Sequence, residues 1–515
     1  MSTKWPCNPR IYEINTWVWL TTLSQKYERP ITLFNVPDEV LDQLSNYQIN
    51  AVWLMGVWFR GKSTRASALN YIHEYRSVLP DVTEKDIAGS AYAIAAYEVE
   101  EALGGRTGLA VFREQLAARG LKLILDYIPN HTGLDHRWLK EHPDYYIQAD
   151  KKWMEKAKGE FFKISLEKDD ALVIAHGRDP YFPGWIDTAQ LNAYSEEYRK
   201  ATVATLSTMA TMADGVRCDM AMLMLNGVFK HTWGWLHPAM EAPAVEFWDD
   251  IIPLVKEKSP NFLFIAEAYW NLNHVLLRQG FDYTYDKTLY DRVLSRDVNG
   301  LRTHLSAEYS FLNRQVRFIE NHDEKRASDT LGLESSRPAA VLITTLPGAT
   351  LLHDGQFSGR KMKLPVHLSR QSYEREYPAL KQFYKRLLDE VNDDMYRYGE
   401  WRMFDCYSAC EGCRGENNLL TYGWRYDDEM RLIVLNLSGE WSQGAIDLGA
   451  WADRIRDHDW VLLDTLHRSY IDENGDSVAE LGLYVDMEPH QAHIYHFEPL
   501  KIRKDRSRER TAIPL

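Results

Sequence analysis

The chain has 515 residues, 45% of them hydrophobic and 12% aromatic, a balance that supports a large folded core and excludes extended disorder. A formal charge of −14 excludes the basic surface that nucleic acids and anionic membranes require. A neutral small-molecule ligand fits this balance, and no nucleic-acid or membrane partner is expected.

The first ten residues, MSTKWPCNPR, show no basic region followed by an apolar run, and the most apolar later stretch, AAVLITTLPGATLL, is broken by Pro347 and Gly348. A soluble, cytoplasmic protein is expected. Five cysteines in so long a chain make no disulfide framework, and their odd number leaves at least one thiol unpaired in a monomer, in keeping with a reducing compartment. Oligomeric state is not fixed by the sequence.

Short β-branched or aromatic runs recur, each ending in polar residues and followed by helical periodicity, which predicts βα units around a parallel sheet. In chain order they are RIYEINTWVW (10–19), INAVWLMGVW (49–58), LKLILDYIPNH (121–131), DGVRCDMAM (214–222), FLFIAEAYW (262–270), FDYTYDKTLY (281–290), QVRFIENHDE (315–324) and AAVLITTLPGATLLHDGQ (339–356). Eight such runs are the number that a closed (β/α)8 TIM barrel needs. Helices are predicted over VPDEVLDQLSNY, TGLAVFREQLAARG and SEEYRKATVATLSTMATMA; in the second of these Leu109, Phe112, Leu116 and Ala117 share a face, and Gly120 supplies the stop.

The stretch from His131 to Asp214 is too long for one crossover helix, so residues 132–188 are read as an inserted small domain, and 1–131 with 189–397 as the barrel. Beyond residue 400 the texture changes to short strands (NLLTYGWRY, MRLIVLNLSG, WVLLDTL, LGLYVDME, AHIYHFEP), which predicts a C-terminal antiparallel β-sandwich over 398–500 before a charged tail at 501–515.

In such a barrel the C-terminal ends of the strands meet at one face. Those ends carry Asp126, Asn130 and His131 on the third strand, Arg217 and Asp219 on the fourth, Glu267 on the fifth, and His322 and Asp323 on the seventh. Taken singly, each could be loop polarity reaching solvent or a buried structural pair such as Arg217 with Asp126. Together, they suit one pocket. Paired carboxylates cleave glycosidic bonds, one attacking or stabilising the anomeric carbon while the other protonates the leaving oxygen. Histidines can donate to sugar hydroxyls, aromatic rings stack on sugars, and an arginine beside the nucleophile keeps it ionised. In FIENHDE (318–324), Phe318 and Ile319 suit the barrel wall, whereas Glu320, Asn321 and Glu324 are read as capping or solvating the turn.

DYIPNH, GVRCDMAM, FIAEAY and FIENHD resemble the four conserved regions of glycoside hydrolase family 13, the α-amylase family, in the right order and on the expected strands. GSAYAIAAY (89–97), GWIDTAQLN (184–192) and LPGATLLHDGQ (346–356) extend the resemblance over about residues 10–500. It implies a retaining mechanism on α-linked glucose units. Asp219 would be the nucleophile, Glu267 the general acid and then base, and Asp323 the third carboxylate, gripping sugar hydroxyls. Arg217 would orient Asp219 with support from Asp126, while His131 and His322 bind the sugar. Tyr92 is the candidate stacking ring, with a packed rim aromatic as the alternative.

Departures from the family pattern narrow the inference. Leu223 stands where a His or Lys often follows the nucleophile, and Ala96 replaces an Asp. Gln190 occupies the position of a calcium-binding Asp, and NTWVWLTTLSQKYERP has no Asp-rich calcium motif, so no metal or other cofactor is expected to be required. Cys406, Cys410 and Cys413 could bind zinc or an iron–sulfur cluster with a fourth ligand from elsewhere, or form a turn with small thiols.

The resulting expectation is a retaining α-glycosidase acting on oligosaccharides or glucans. The alternatives are a transglycosidase or phosphorylase using a sugar, polyol or phosphate acceptor, and a non-catalytic carbohydrate-binding relative, which would be expected to lose at least one of the three carboxylates.

Overall fold

Eight parallel strands close into a barrel in a computed structural model that describes residues 4–165 and 171–500; the charged tail at 501–515 lies outside the described residues. The strands are Arg10–Asn15, Ala51–Met55, Lys122–Tyr127, Gly215–Cys218, Leu263–Ala266, Tyr283–Tyr285, Gln315–Arg317 and Ala349–His353, each paired with its sequence neighbour, and the eighth closes on the first. Their near-continuous apolar character follows from burial on both faces: the AVWLM strand is buried throughout. Ile11, Trp53, Ile124, Ile265, Tyr285 and Phe318 belong to one core cluster.

The predicted helices form at Asp38–Asn46, Gly105–Ala118 and Glu196–Met212. The last is capped by Ser195, whose side chain accepts from the Tyr198 N–H. Leu109, Phe112 and Leu116 are buried, and Gly120 ends the turn at a φ of +74°. The eighth run divides. Ser336–Thr345 is helical and only Ala349–His353 is strand, because Pro347 and Gly348, the latter at a φ of +108°, break the apolar stretch.

After the third strand, His131–Gly133 pairs antiparallel with Thr188–Gln190, and Gln148–Ala149, Ala171–Ala175 and Phe161–Ser165 form a small sheet with Ala171–Ala175 at its centre. A second excursion, not seen in the sequence, follows the second strand. Tyr75, Leu79, Val82 and Ile87 pack with Leu368 from the connection after the eighth strand, and Arg370 pairs with Asp81 and Asp86 at 3.2 and 2.8 Å.

The described residues divide into two compact units, the second made of Arg296–Ser306, Arg337–Thr345 and 390–500. Within it a six-stranded antiparallel sheet runs in the order Glu400–Met403, Leu419–Tyr426, Glu429–Asn436, Ala492–Pro499, Asp459–Asp464, Ser469–Asn474. A three-stranded sheet of Cys406–Tyr407, Ser442–Ile446 and Leu483–Met487 accompanies it. Leu432, Leu462, Ile446, Val485, Trp451 and Phe497 share one core cluster drawn from both sheets.

Cys410 and Cys413 are joined by a disulfide, so the cysteine triplet does not present three thiolates to a metal; Cys406, Cys7 and Cys218 are free. Among the described residues, no helix is long and apolar enough to cross a membrane.

Candidate active site

Arg217 organises the strand ends. It registers with Asp126 on the third strand and Ile265 on the fifth, which brings carboxylates from neighbouring strands to its guanidinium. Nη1 lies 2.7 Å from Asp219 Oδ1 and 3.3 Å from Asp126 Oδ1, and Nη2 lies 2.8 Å from Glu267 Oε2. The Trp53, Tyr92 and Tyr285 rings surround the guanidinium, with centroids 5.2–5.6 Å from Cζ. A buried cation persists only with such pairing, and Trp53 Nε1 completes the set by donating to the other Asp126 oxygen at 3.2 Å.

Two further donors fix Glu267. The Met220 N–H reaches Oε2 at 2.6 Å and the Tyr269 hydroxyl reaches Oε1 at 2.8 Å. Met220 adopts a φ of +44°, a left-handed conformation that is costly for a side-chain-bearing residue, in the peptide next to Asp219. Burial pushes the Asp219 carboxyl up to about 8 against the pull of Arg217, with Glu267, Asp126 and Asp323 adding to the rise. Burial likewise raises Asp126, to about 6.

His322 links the seventh strand to the first. Its Nδ1 lies 2.5 Å from Glu13 Oε1, its Nε2 2.9 Å from Asp323 Oδ2 and 2.6 Å from the Tyr92 hydroxyl. Burial alone would lower the imidazole, but Asp323 and Glu13 outweigh it and hold it well above the ordinary histidine value. The reciprocal holds for Asp323, where burial is overcome by His322 and the carboxylate titrates well below its usual range. The Tyr92 ring stacks on the His322 ring, with centroids 5.3 Å apart at 23°.

Asp219, Glu267, Asp323, Tyr92 and His131 line one cavity of about 780 Å³, together with Trp185 from the insertion. Asp126, Arg217 and His322 stand behind them as a supporting layer. Burial lowers His131 to about 4, leaving a neutral imidazole that packs 5.1 Å from Trp185. Gln190 lies beneath, its Nε2 donating to Asn130 O, Asn130 Oδ1 and Leu191 O, each at 2.9 Å. Those oxygens, which a hard cation would need as ligands, face an amide N–H donor instead. Leu223 is buried in the turn Ala221–Met224, and Ala96 lies on a short strand paired with Trp58–Phe59.

Sequence reasoning missed Glu13, Trp53 and Tyr269. The Glu in YEIN is the detectable signal for the first, since a carboxylate in an otherwise apolar barrel strand needs a cationic partner. Glu320 does not solvate the turn: it is fully buried, 2.5 Å from Arg326 Nη1 and accepting from the Ala327 N–H at 2.8 Å. Asn321 does cap the turn, its Oδ1 accepting from the N–H groups of Asp323 and Glu324.

The family model for the α-amylase catalytic domain matches residues 38–402. The chain is 25% identical over 372 residues to Alpha-amylase MalA of Haloarcula japonica, covering 68% of this chain and 46% of that relative. It is 20% identical over 363 residues to Alpha-amylase 3 of Dictyoglomus thermophilum, covering 65% and 61%. The chain thus spans about half the length of these relatives. Among solved structures, the noncanonic maltogenic alpha-amylase AmyB from Thermotoga neapolitana shares the fold at a TM-score of 0.66 and 18% identity, over 95% of this chain and 98% of that one. An alpha-amylase from Geobacillus thermoleovorans complexed with acarbose does so at 0.65 and 16%, over 96% and 99%. With a catalytic-domain match across well over half its length, the chain belongs to the α-amylase family, glycoside hydrolase family 13.

Proposed function

We propose that this protein is a retaining α-glycosidase that cleaves α-glucosidic bonds of oligosaccharides or glucans by double displacement. The observation that carries the reading is the shared guanidinium: Asp219 and Glu267 are held on the two Nη atoms of Arg217 and line the same cavity. Retention needs two carboxyl groups close enough to act on one anomeric carbon from opposite faces.

Asp219 attacks the anomeric carbon while the glycosidic C–O bond breaks and Glu267 gives its proton to the leaving oxygen. Water then attacks the glycosyl-enzyme, Glu267 takes its proton, and Asp219 is released. Productive chemistry places the cluster's proton on Glu267 and leaves Asp219 anionic, a distribution favoured when the sugar contacts Asp219 and Arg217 balances its charge. Asp323, held from behind by the His322 imidazolium, binds hydroxyls of the sugar in the cleavage subsite, and His131 donates as a neutral imidazole. The same intermediate transfers its glucosyl group when a sugar, polyol or phosphate occupies the acceptor side.

The donor set around Asn130 and Gln190 supports catalysis without calcium. An NMR time course on maltose, maltotriose, sucrose, trehalose, glucosylglycerol and starch, with and without phosphate, tests the proposal. First release of an α-anomer supports retention, whereas first release of a β-anomer, or turnover undiminished in Asp219→Asn, sinks it.

A further inference from the structure

A second cluster of chemically competent side chains lies in the C-terminal unit. Asp464 ends the strand Asp459–Asp464, His467 sits in the turn that leads to Ser469–Asn474, and His493 lies on Ala492–Pro499. Asp464 Oδ2 is 2.6 Å from His467 Nδ1 and 2.5 Å from His493 Nδ1, while Oδ1 accepts from the Leu466 N–H at 3.0 Å. One carboxylate oxygen is therefore fixed by the backbone and the other faces two ring nitrogens.

The Asp464 side chain has no exposed surface, and among the described residues no lysine or arginine pairs with it. A buried carboxylate needs a compensating charge, and the groups the structure sets against this one are two ring nitrogens converging on a single oxygen. His493 is held in orientation by the Tyr495 ring, stacked 5.2 Å away at 11°. His467 is 45% exposed, which opens the cluster to solvent on one side.

We propose that Asp464, His467 and His493 form a binding site for a first-row transition dication, Zn2+ being the reference case. The three candidate ligand atoms already lie within 4.8 Å of one another. Two imidazole nitrogens and one carboxylate oxygen match the preference of Zn2+ and disfavour Ca2+ and Mg2+, which take oxygen ligands. Metal binding needs each Nδ1 free of its proton, which passes to Nε2 or to solvent, and the metal takes the place of the two N–H···O hydrogen bonds. Bonds of about 2.0–2.2 Å to the metal require the present N···O separations to widen by somewhat less than 1 Å. The exposed turn carrying His467 permits that movement. Water completes the coordination on the open side, and the ion clips the 464–469 turn to the strand bearing His493.

The test uses the full-length protein, stripped with a chelator and dialysed against Zn2+ alone near neutral pH, with bound metal counted by elemental analysis. The expected result is one equivalent of zinc in the wild type that is absent in His467→Ala and in His493→Ala, with a Zn2+-dependent rise in unfolding temperature in the wild type only. Both variants should retain wild-type glycosidase activity. Because His467 is exposed, its alanine variant folds and keeps the comparison decisive. Equal zinc content in wild type and both variants, or no zinc-dependent change in wild-type unfolding, would overturn the site and leave Asp464 as a shared acceptor for two imidazole N–H groups.

Discussion

Glu13 and His322, 309 positions apart in the chain, meet at 2.5 Å behind the cavity and make the first and seventh barrel strands electrostatically dependent on each other. His322 in turn holds Asp323, so a residue outside the lining of the 780 Å³ cavity sets the charge of one within it. Replacing Glu13 by Gln removes one of the two anions that raise His322. The imidazolium then loses its proton at lower pH, and the alkaline limb of kcat/KM shifts downward. A stability loss of about 1–3 kcal/mol accompanies the broken buried pair. Paired pH–rate and denaturant titrations read both effects; an unmoved alkaline limb rejects the coupling.

The two carboxylates proposed for the chemistry separate by substrate. Glu267→Gln should reduce turnover of maltooligosaccharides by about 10²–10⁴-fold. Its loss on nitrophenyl α-glucoside should be much smaller in the first step, because that leaving group needs no proton. Asp219→Asn should abolish turnover of both. Equal losses on both substrates for Glu267→Gln would remove its role as acid.

Asp219 also makes stability depend on pH in a defined direction. Burial pushes its carboxyl well above the value of near 4 it has when unfolded, so between the two the folded state binds more protons and loses stability as pH rises. Asp219→Asn removes this penalty. The difference in unfolding temperature, variant minus wild type, should therefore grow from pH 5 to pH 8. A pH-independent difference would contradict it.

Gln190 gives a metal-linked prediction. In Gln190→Asp the donor facing Asn130 O and Oδ1 becomes an acceptor, which creates oxygen–oxygen repulsion that a hard cation relieves. Ca2+ should raise the unfolding temperature of this variant and leave the wild type unchanged, as should chelator treatment of the wild type. Stabilisation of the wild type by Ca2+ would count against the donor argument.

The barrel was legible because its strands are buried on both faces and write apolar runs at regular intervals, and because the cavity groups sit immediately after those runs. Other features were hidden for physical reasons. Glu320 follows Phe318 and Ile319 as a solvent-facing residue would, and only Arg326, six residues later and folded back, makes it internal. AAVLITTL has the composition of a buried strand or a buried helix, so the helix Ser336–Thr345 could not be separated from the eighth strand by pattern. The excursion after the second strand reads as an ordinary crossover until Leu368 and Arg370 arrive from the far end of the barrel. Glu13 was present in plain view, but its partner could be identified only once the first and seventh strands were placed in space.

The Arg217 hub also bears on how the proposed activity could be lost over evolutionary time. Deleting the guanidinium strands three acids in the interior and threatens the fold itself, so that path is closed by folding before it is closed by selection. Asp323, half-exposed and with its carboxylate paired to His322, is the acid whose loss costs the fold least. A descendant that kept the fold without cutting sugars would arise most readily by a change there.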